Sequence, residues 1–282
     1  MRTIVITGAT SGIGRQAALA LATPGNRLLV VGRHHALLKT LRADLAARGA
    51  REVHLFHADL SQLSDVRRVG AEITAAAPVI DVLANNAGAI FDTRRLTADG
   101  IEMTFALNHL AYWLLTRLLL PNIAASDDGR IVSTASRAHM RARLDFADLE
   151  SARDYSAWMA YGTSKLMNIL FTRELARRLA QDPATRRVSA SSFHPGFVGS
   201  RFGDGNGFVL ATLLKAAKSL VALSEAKGAD TLVWLATAPD AASRSGRYFE
   251  KRRPGRMSAA AQNDEAARRL WEVTAEFLGE AP

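Results

Sequence analysis

Short, continuous apolar runs alternate with segments of helical periodicity along most of the chain. Runs such as TIVIT, RLLVV, VLAN and RIVST are rich in Val, Ile and Leu, which is typical of strands buried on both faces. Between them, segments such as HALLKTLRADLAARG carry apolar residues at helical spacing and end near glycine or proline. This alternation predicts an α/β fold, a doubly wound parallel sheet with helices on both faces.

The pattern also predicts particular elements. The stretch GIEMTFALNHLAYWLLTRLLLPNI predicts one long helix, and YGTSKLMNILFTRELARRLA predicts a second that opens at Tyr161. GRYF predicts a seventh strand, and the C-terminal amphipathic helix should pack through Trp271 and Phe277. No repeat, linker or charge block divides the chain, so a single domain over 1–282 is expected. The glycine-rich and then apolar stretch at about 199–225 is either a substrate lid or ordinary helix packing.

Composition narrows the class of protein. The 282 residues include no cysteine, which excludes disulfides, cysteine nucleophiles and cysteine-based metal sites, and no metal site is predicted. The start, MRTIVITGATSG, does not resemble a signal peptide, and LAYWLLTRLLL is too short to span a bilayer. A cytoplasmic protein without a membrane span is expected. The net charge of +9 indicates either a nucleic-acid partner or an Arg-rich solvated surface; without stacking aromatics near the cluster SRSGRYFEKRRPGR, no nucleic-acid partner is predicted.

A glycine-rich turn follows the first predicted strand. In TGATSGIG, Gly8, Gly12 and Gly14 allow the backbone to turn sharply and approach a pyrophosphate at the start of a helix. The spacing is G-x-x-x-G-x-G rather than the common G-x-G-x-x-G. Glycines also serve any tight strand-to-helix turn, but the order of strand, turn and helix favours a dinucleotide site.

The end of the second strand bears on the choice of cofactor. NAD sites usually carry an acidic residue there, whereas this chain has VVGRHH. Arg33 can pair with a 2′-phosphate, and Thr10 and Ser11 can donate further hydrogen bonds. Arg33 as an ordinary surface residue is the alternative reading. NADP(H) is therefore favoured, with NAD(H) possible.

Tyr161 and Lys165 are four residues apart, so on a helix they share a face. Alone, this spacing is better explained by core packing with an extended lysine. Only together with the glycine turn and the remaining motifs described below does it favour catalysis.

The motifs, in order, resemble the short-chain dehydrogenase/reductase family over nearly the whole chain, and its retinol-dehydrogenase-like branch most closely. They are TGATSGIG, NNAG at 85–88, Asn108, Ser136, YGTSK at 161–165 and HPGFV at 194–198. FADLES before the tyrosine and SKLMNILFTRELARRL carry the likeness to the branch. Many relatives in the branch carry an N-terminal membrane anchor, which is not expected here. The resemblance implies a Rossmann-type sheet in the strand order 3-2-1-4-5-6-7 and a homo-oligomer, a dimer or tetramer, built partly from the long helices.

The resemblance also implies roles. Tyr161 would be the general acid and base, Lys165 would lower the pKa of Tyr161, and Ser136 would bind the substrate oxygen. Asn108 would bind a water that connects Lys165 to solvent. Asp59 and Leu60 match an adenine-contacting pair. Asp59 or Ser61 could also cap the next helix, and the two roles are compatible. His194 would be structural. The implied cofactor-binding set is Gly8, Thr10, Ser11, Gly12, Ile13, Gly14, Arg33, Asp59, Leu60, Asn86, Ala87, Gly88, Tyr161, Lys165, Pro195, Gly196 and Val198.

The predicted function is an NADP(H)-dependent oxidoreductase that interconverts an alcohol and an aldehyde or ketone, on an apolar or bulky small molecule. The alternative is a catalytically silent dinucleotide-binding regulatory protein, although such proteins usually lack part of the Ser, Tyr and Lys set.

Overall fold

The sheet has the predicted order and carries one strand more than predicted. The computed structural model describes residues 1–196 and 225–281. Within them the strand order is β3-β2-β1-β4-β5-β6-β7-β8, parallel throughout except for the antiparallel pair of β7 and β8. The strands are β1 (Arg2–Thr7), β2 (Asn26–Gly32), β3 (Glu52–His57), β4 (Val82–Asn85), β5 (Arg130–Thr134), β6 (Ser189–His194), β7 (Tyr248–Glu250) and β8 (Arg253–Pro254).

Helices cover both faces of this sheet, as predicted. They are α1 (Gly12–Leu21), α2 (His35–Ala47), α3 (Leu63–Ala76), α4 (Met103–Phe105), α5 (Ala111–Ala124), α6 (Ala157–Gln181), α7 (Glu225–Thr237) and α8 (Asp264–Leu278). Alternate residues of each strand enter opposite cores. Ile4 and Ile6 of β1 pack with α1, α2 and α7, whereas Val5 packs with α3, α5, α6 and α8. This two-sided burial is why the strands read as continuous apolar runs.

The topology places a crevice at the carboxyl ends of β1 and β4. β1 lies between β2 and β4, so the chain winds one way from β1 to β3 and the other way from β4 onward. Loops that leave the two strands at such a switch point diverge to opposite faces of the sheet and leave room for a ligand. The glycine turn and the NNAG turn lie at this edge.

Two helix predictions were wrong in detail. The long helix is interrupted by a π-helical turn at Ala106–Leu110, between α4 and α5. Helix α6 begins at Ala157, so Tyr161 lies one turn inside it rather than at its start. Both departures concern residues of the predicted catalytic set.

The C-terminal helix α8 packs against the long helices. Asn263 caps its start by accepting from the N–H of Ala266, and Gly279, with φ 65°, ends it. Trp271 is buried and stacks on Phe171 of α6 at 5.8 Å, with the ring of Trp113 of α5 5.2 Å away, as predicted for Trp271.

Phe277 is only partly covered. Its ring meets Phe105 edge-on at 5.5 Å, and 41% of the residue stays exposed. The predicted lid falls, except for its last residue, outside the described residues, as does Val198. In the described part of the chain, no helix has the length and hydrophobicity needed to cross a bilayer.

Candidate active site

The glycine turn brings the backbone of β1 against the NNAG turn. Gly8 has φ +67° and Gly12 has φ +54°, a region that glycine adopts without strain. A Cβ on Gly14 would lie 2.3 Å from the oxygen of Gly8 and 2.6 Å from Nδ2 of Asn86, so no side chain fits there. The glycines are therefore required by close backbone approach as well as by the turn.

Thr7 joins the two turns through its hydroxyl. The oxygen accepts from the N–H groups of Asn86 at 2.8 Å and Ala87 at 3.0 Å, and the hydroxyl donates to the oxygen of Ala84 at 3.3 Å. Nδ2 of Asn86 donates back to the oxygen of Thr7 at 3.0 Å. These bonds fix the position of Asn86 and Ala87, two predicted cofactor residues, at the end of β1.

The start of α1 suits the pyrophosphate of a dinucleotide. Ser11, the residue before the helix, makes no capping hydrogen bond with its side chain, and the first turn contains no acidic residue. The first N–H groups of a helix have no partner within the helix and carry partial positive charge. A dinucleotide pyrophosphate supplies the anion that such a helix start binds, and the crowded glycines leave the backbone open to it. Thr10, Ser11 and Ile13 lie at the surface or half-buried at this turn.

The end of β2 has the features predicted for a 2′-phosphate. A Cβ on Gly32 would lie 2.7 Å from Cγ2 of Thr10, which places Thr10 against the residue that precedes Arg33. Arg33 is exposed, and its main-chain oxygen lies 3.1 Å from Nε2 of His57. No acidic side chain occupies 32–36.

Asp59 closes a turn after β3. Its Oδ1 accepts from the N–H of Ser61 at 3.0 Å and from the hydroxyl of Ser61 at 2.8 Å. Helix α3 begins at Leu63, with Gln62 at its N-cap, so neither Asp59 nor Ser61 caps it and the predicted capping role is wrong. Leu60 is buried beside Asp59.

Ser136 and Tyr161 meet where β5 ends. Ser136 accepts from the N–H of Ala138 at 3.2 Å and so caps the 3-10 helix Arg137–Arg141. Its hydroxyl also makes a hydrogen bond with the buried side chain of Tyr161. Burial raises the pKa of the Tyr161 phenol to about 12, and the bond with Ser136 opposes the rise.

Lys165 lies one turn further along α6 and is almost completely buried. Its Nζ donates to the main-chain oxygen of Thr134 at 3.0 Å and lies 5.6 Å from the ring of Tyr161. Burial lowers the pKa of Lys165 to about 7. The prediction that Lys165, together with an oxidised nicotinamide, lowers the pKa of Tyr161 concerns the cofactor complex and stays a prediction. Desolvation is the main cause of both shifts, and it moves both pKa values away from the charged forms.

Asn108 lies in the π-helical turn and is hydrogen-bonded to the loop that follows β4. Its Oδ1 accepts from the N–H of Ala89 at 3.0 Å, and its Nδ2 donates to the oxygen of Ala89 at 2.9 Å and to Oγ of Ser164 at 3.0 Å. A Cβ on Gly88 would lie 3.1 Å from Oδ1 of Asn108 and 3.3 Å from Nζ of Lys165. The side chain of Asn108 and the ammonium of Lys165 therefore both lie next to Gly88. The water-binding role of Asn108 stays a prediction.

The turn after β6 is described only at its start. Gly196 has φ +87° and follows Pro195, both half-buried at the same edge of the sheet. Burial lowers the pKa of His194 to about 4, and its Nδ1 accepts from the N–H of Arg137 at 3.4 Å. A neutral imidazole holding the backbone next to Ser136 fits the structural role predicted for it.

Sequence reasoning missed two side chains beneath Lys165. Asn168 donates to the same Thr134 oxygen at 3.2 Å, and the ring of Tyr112 lies 5.5 Å from Nζ. Both are buried, on α6 and α5. Asn168 follows Lys165 by three residues, a spacing that places them on one face of a helix and was the available signal.

Comparison with known proteins agrees with this geometry. A family profile described as short chain dehydrogenase matches residues 2–206. A protein of Streptomyces sp. (strain C5) named for a proposed daunorubicin C-13 ketoreductase activity, DnrU, is 42% identical over 280 residues, covering 99% of this chain and 93% of that protein. Human retinol dehydrogenase 13 is 35% identical over 288 residues, covering 100% of this chain and 86% of that protein.

Among solved structures, an uncharacterized protein from Mycobacterium paratuberculosis superposes with a TM-score of 0.77 at 31% identity, covering 100% of this chain and 95% of that one. The matched family spans the glycine turn, the NNAG turn and the residues from Ser136 to Lys165. The chain therefore belongs to the short-chain dehydrogenase family, whose members are oxidoreductases that act on CH–OH groups with NAD(P).

Proposed function

We propose that this protein is an NADP(H)-dependent oxidoreductase that interconverts an alcohol and an aldehyde or ketone, with Tyr161 as the general acid and base. The observation that carries the proposal is the convergence of three groups. The hydroxyl of Ser136 is hydrogen-bonded to the side chain of Tyr161, and Nζ of Lys165 lies 5.6 Å from the ring of Tyr161. All three lie at the same edge of the sheet as the glycine turn.

The residues of this edge fit a nicotinamide dinucleotide. The uncapped start of α1 would hold the pyrophosphate, and the main chain of Asn86 to Gly88 would lie alongside the cofactor. Pro195, Gly196 and Val198 complete the predicted contacts near the nicotinamide. When bound, the dinucleotide supplies the hydride for reduction of a carbonyl or accepts it in the reverse direction.

Tyr161 donates the proton that a carbonyl oxygen requires when it becomes an alcohol. Since burial raises the pKa of Tyr161 to about 12, the phenol is fully protonated at neutral pH and ready to donate. The hydroxyl of Ser136 stabilises the negative charge that develops on the carbonyl oxygen. In its charged form, Lys165 stabilises the phenolate left behind, and Asn108 holds the loop that brings Gly88 against Lys165.

The preference for NADP(H) rests on Arg33. The side chain is exposed at the end of β2, with Thr10 beside it and no carboxylate nearby in the sequence to repel a phosphate. A guanidinium forms charge-assisted hydrogen bonds with phosphate oxygens. The site therefore suits the 2′-phosphate of NADP(H) better than the free hydroxyls of NAD(H).

An apolar or bulky substrate is supported by the relatives. Their names refer to the ketone of daunorubicin and to retinol, both large molecules whose reacting group is a carbonyl or a hydroxyl. The same proposal includes a cytoplasmic location and a homo-oligomer.

The test replaces Tyr161 by Phe and measures reduction of an aldehyde and ketone panel with NADPH. We expect a loss of roughly 10²- to 10⁴-fold in kcat, because the proton donor is gone, with NADPH binding retained. Tyr155→Phe is the matched control. Tyr155 lies before the same helix, where its hydroxyl donates to the oxygen of Phe91 at 2.9 Å, and its loss should leave turnover near the wild-type rate.

Two outcomes contradict the proposal. Wild-type rates in Tyr161→Phe would remove Tyr161 from the mechanism. A wild-type protein that binds NADPH and turns over no carbonyl or alcohol would favour the alternative, a silent dinucleotide-binding regulator.

A further inference from the structure

Trp158 lies one helical turn before Tyr161 on the same face of α6. The helix begins at Ala157, so Trp158, Tyr161 and Lys165 stand at i, i+3 and i+7. The indole ring is 5.9 Å from the ring of Tyr161, tilted by 39°, and Nζ of Lys165 is 5.6 Å from the same ring. The phenol thus lies between the buried cation on its C-terminal side and the indole on its N-terminal side.

The indole beside Tyr161 is exposed. Trp158 is 51% exposed, whereas Trp113 and Trp271 are buried and Trp234 is half-buried. Its neighbour Met159 is 43% exposed. Single exposed apolar residues are common on protein surfaces, so exposure alone carries nothing. What matters is the position, because the indole lies beside the group that must contact the reacting oxygen.

Any carbonyl that reaches Tyr161 and Ser136 brings the rest of its molecule to this surface. Lys165 lies against Gly88, on the side where the dinucleotide would lie, and Trp158 lies on the opposite side of Tyr161 along α6. Aromatic rings stack favourably at centroid distances of about 4.5–7 Å. The rings of Tyr161 and Trp158 are 5.9 Å apart, so a substrate ring attached to a carbonyl at Tyr161 is within reach of the indole. A planar ring attached directly to the carbonyl can therefore lie on the indole while its oxygen contacts Tyr161.

We propose that Trp158 is a substrate-binding residue, and that the preferred substrates carry their carbonyl on or next to a planar aromatic ring system. This inference rests on the proposed function and narrows its substrate from apolar or bulky ketones to aryl and polycyclic aromatic ketones.

The first experiment compares acetonaphthone with its fully saturated decalin counterpart, which has the same skeleton and no aromatic face. Trp158→Leu keeps an apolar side chain and removes the π surface. We expect KM for acetonaphthone to rise about three- to tenfold, with kcat little changed and KM for the saturated ketone changed less than twofold. Trp158→Phe, which retains a ring, should recover most of the difference.

The second experiment measures tryptophan fluorescence in the NADP⁺ complex, where a ketone binds without turnover. Acetonaphthone should quench the emission of the wild-type protein and of Trp234→Phe, and should quench Trp158→Phe much less. Trp234 is the matched control because it packs on the other face of the sheet, against Phe249.

The outcomes separate the two proposals. If no ketone is reduced with either NADPH or NADH, the proposed function fails. If ketones are reduced but Trp158→Leu affects both ketones equally or neither, and quenching survives in Trp158→Phe, the role of Trp158 is wrong while the function stands.

Discussion

Lys165 donates its ammonium hydrogen bond to the main-chain oxygen of Thr134, at 3.0 Å, where β5 ends. Asn168, three residues later on α6, donates to the same oxygen at 3.2 Å. One carbonyl therefore aligns helix α6 with the end of the strand, and within residues 1–196 and 225–281 no carboxylate pairs with this cation. Its burial lowers the pKa of Lys165 to about 7, which makes this residue sensitive to pH and costly to stability.

Replacement of Lys165 by Met should stabilise the protein while it removes activity. The pKa of Lys165 is lowered from 10.5 to about 7 in the folded protein, so between these values the unfolded chain binds more protons, and wild-type stability rises with pH. The penalty for burying the charge is complete below pH 7 and absent above pH 10.5. Without that charge, Lys165→Met should gain about 2 kcal/mol near pH 6, or roughly 4–8 °C in Tm.

Thermal melts at pH 6 and pH 10 measure this effect, and the gain should shrink at the higher pH. Asn168 still donates to the Thr134 oxygen in the variant, so that carbonyl keeps a partner. Lys39→Met, on the exposed face of α2, is the control and should leave Tm unchanged at both pH values. A variant less stable than wild type at pH 6 would show that the buried charge is not the dominant cost.

The pH dependence of carbonyl reduction should follow the protonation of Lys165. The phenol of Tyr161, whose pKa is about 12, stays protonated across the accessible range. Since the pKa of Lys165 is about 7, its charge is lost as pH rises through neutrality, and with it the stabilisation of the phenolate formed in the reaction. The rate constant kcat/KM for reduction should fall with a slope of one proton above about pH 7, and a flat profile from pH 6 to 9 would contradict the assignment.

The choice of cofactor should reverse in Arg33→Asp. A carboxylate at this position repels a 2′-phosphate and can accept hydrogen bonds from ribose hydroxyls. We expect the ratio of KM for NADPH to KM for NADH to rise about 10- to 100-fold. Arg42→Asp makes the same charge change on the exposed face of α2 and should leave the ratio within twofold. An unchanged ratio in Arg33→Asp would overturn the assignment of NADP(H).

Gly14→Ala should disable the dinucleotide site. The added methyl would lie 2.3 Å from the Gly8 oxygen and 2.6 Å from Nδ2 of Asn86. Because the Gly8 oxygen belongs to the main chain, relieving this clash would require the backbone of the glycine turn to shift, which costs free energy. Calorimetric titration should show NADPH affinity reduced at least tenfold, with a lowered Tm. Gly25→Ala is the control, because its Cβ would meet nothing closer than Oγ1 of Thr23 at 3.9 Å. Normal binding by Gly14→Ala would place the pyrophosphate elsewhere.

Most of the fold could be predicted because the strands are buried on both faces. Runs such as TIVIT and RIVST admit few other readings, and the strand order followed from the family resemblance. The two-residue strand β8 left no pattern long enough to detect. The π-helical turn could not be predicted from the sequence. Its residues are buried on every side, so the pattern of apolar positions is the same whether or not the turn holds an extra residue.

The site was predicted where glycines and spaced polar residues stand out from their surroundings. Tyr112 and Asn168 lie in apolar helical runs and become meaningful only when α5 and α6 are brought together at the end of β5. The burial that raises the pKa of Tyr161 could not be predicted, because a sequence gives charge but not depth. Trp158 looked like part of a connecting segment, since the predicted helix began four residues later than the start of α6 at Ala157.

Helix α8 has a consequence for assembly. Its Trp271 rests on Phe171 and lies against Trp113, so the chain itself already covers the apolar ridges of α5 and α6. A second copy could dock on those ridges only by displacing its partner's C-terminal segment. Self-association through the surface that Trp271 covers would therefore require α8 to detach, and shortening the chain before residue 264 would expose that apolar surface to solvent.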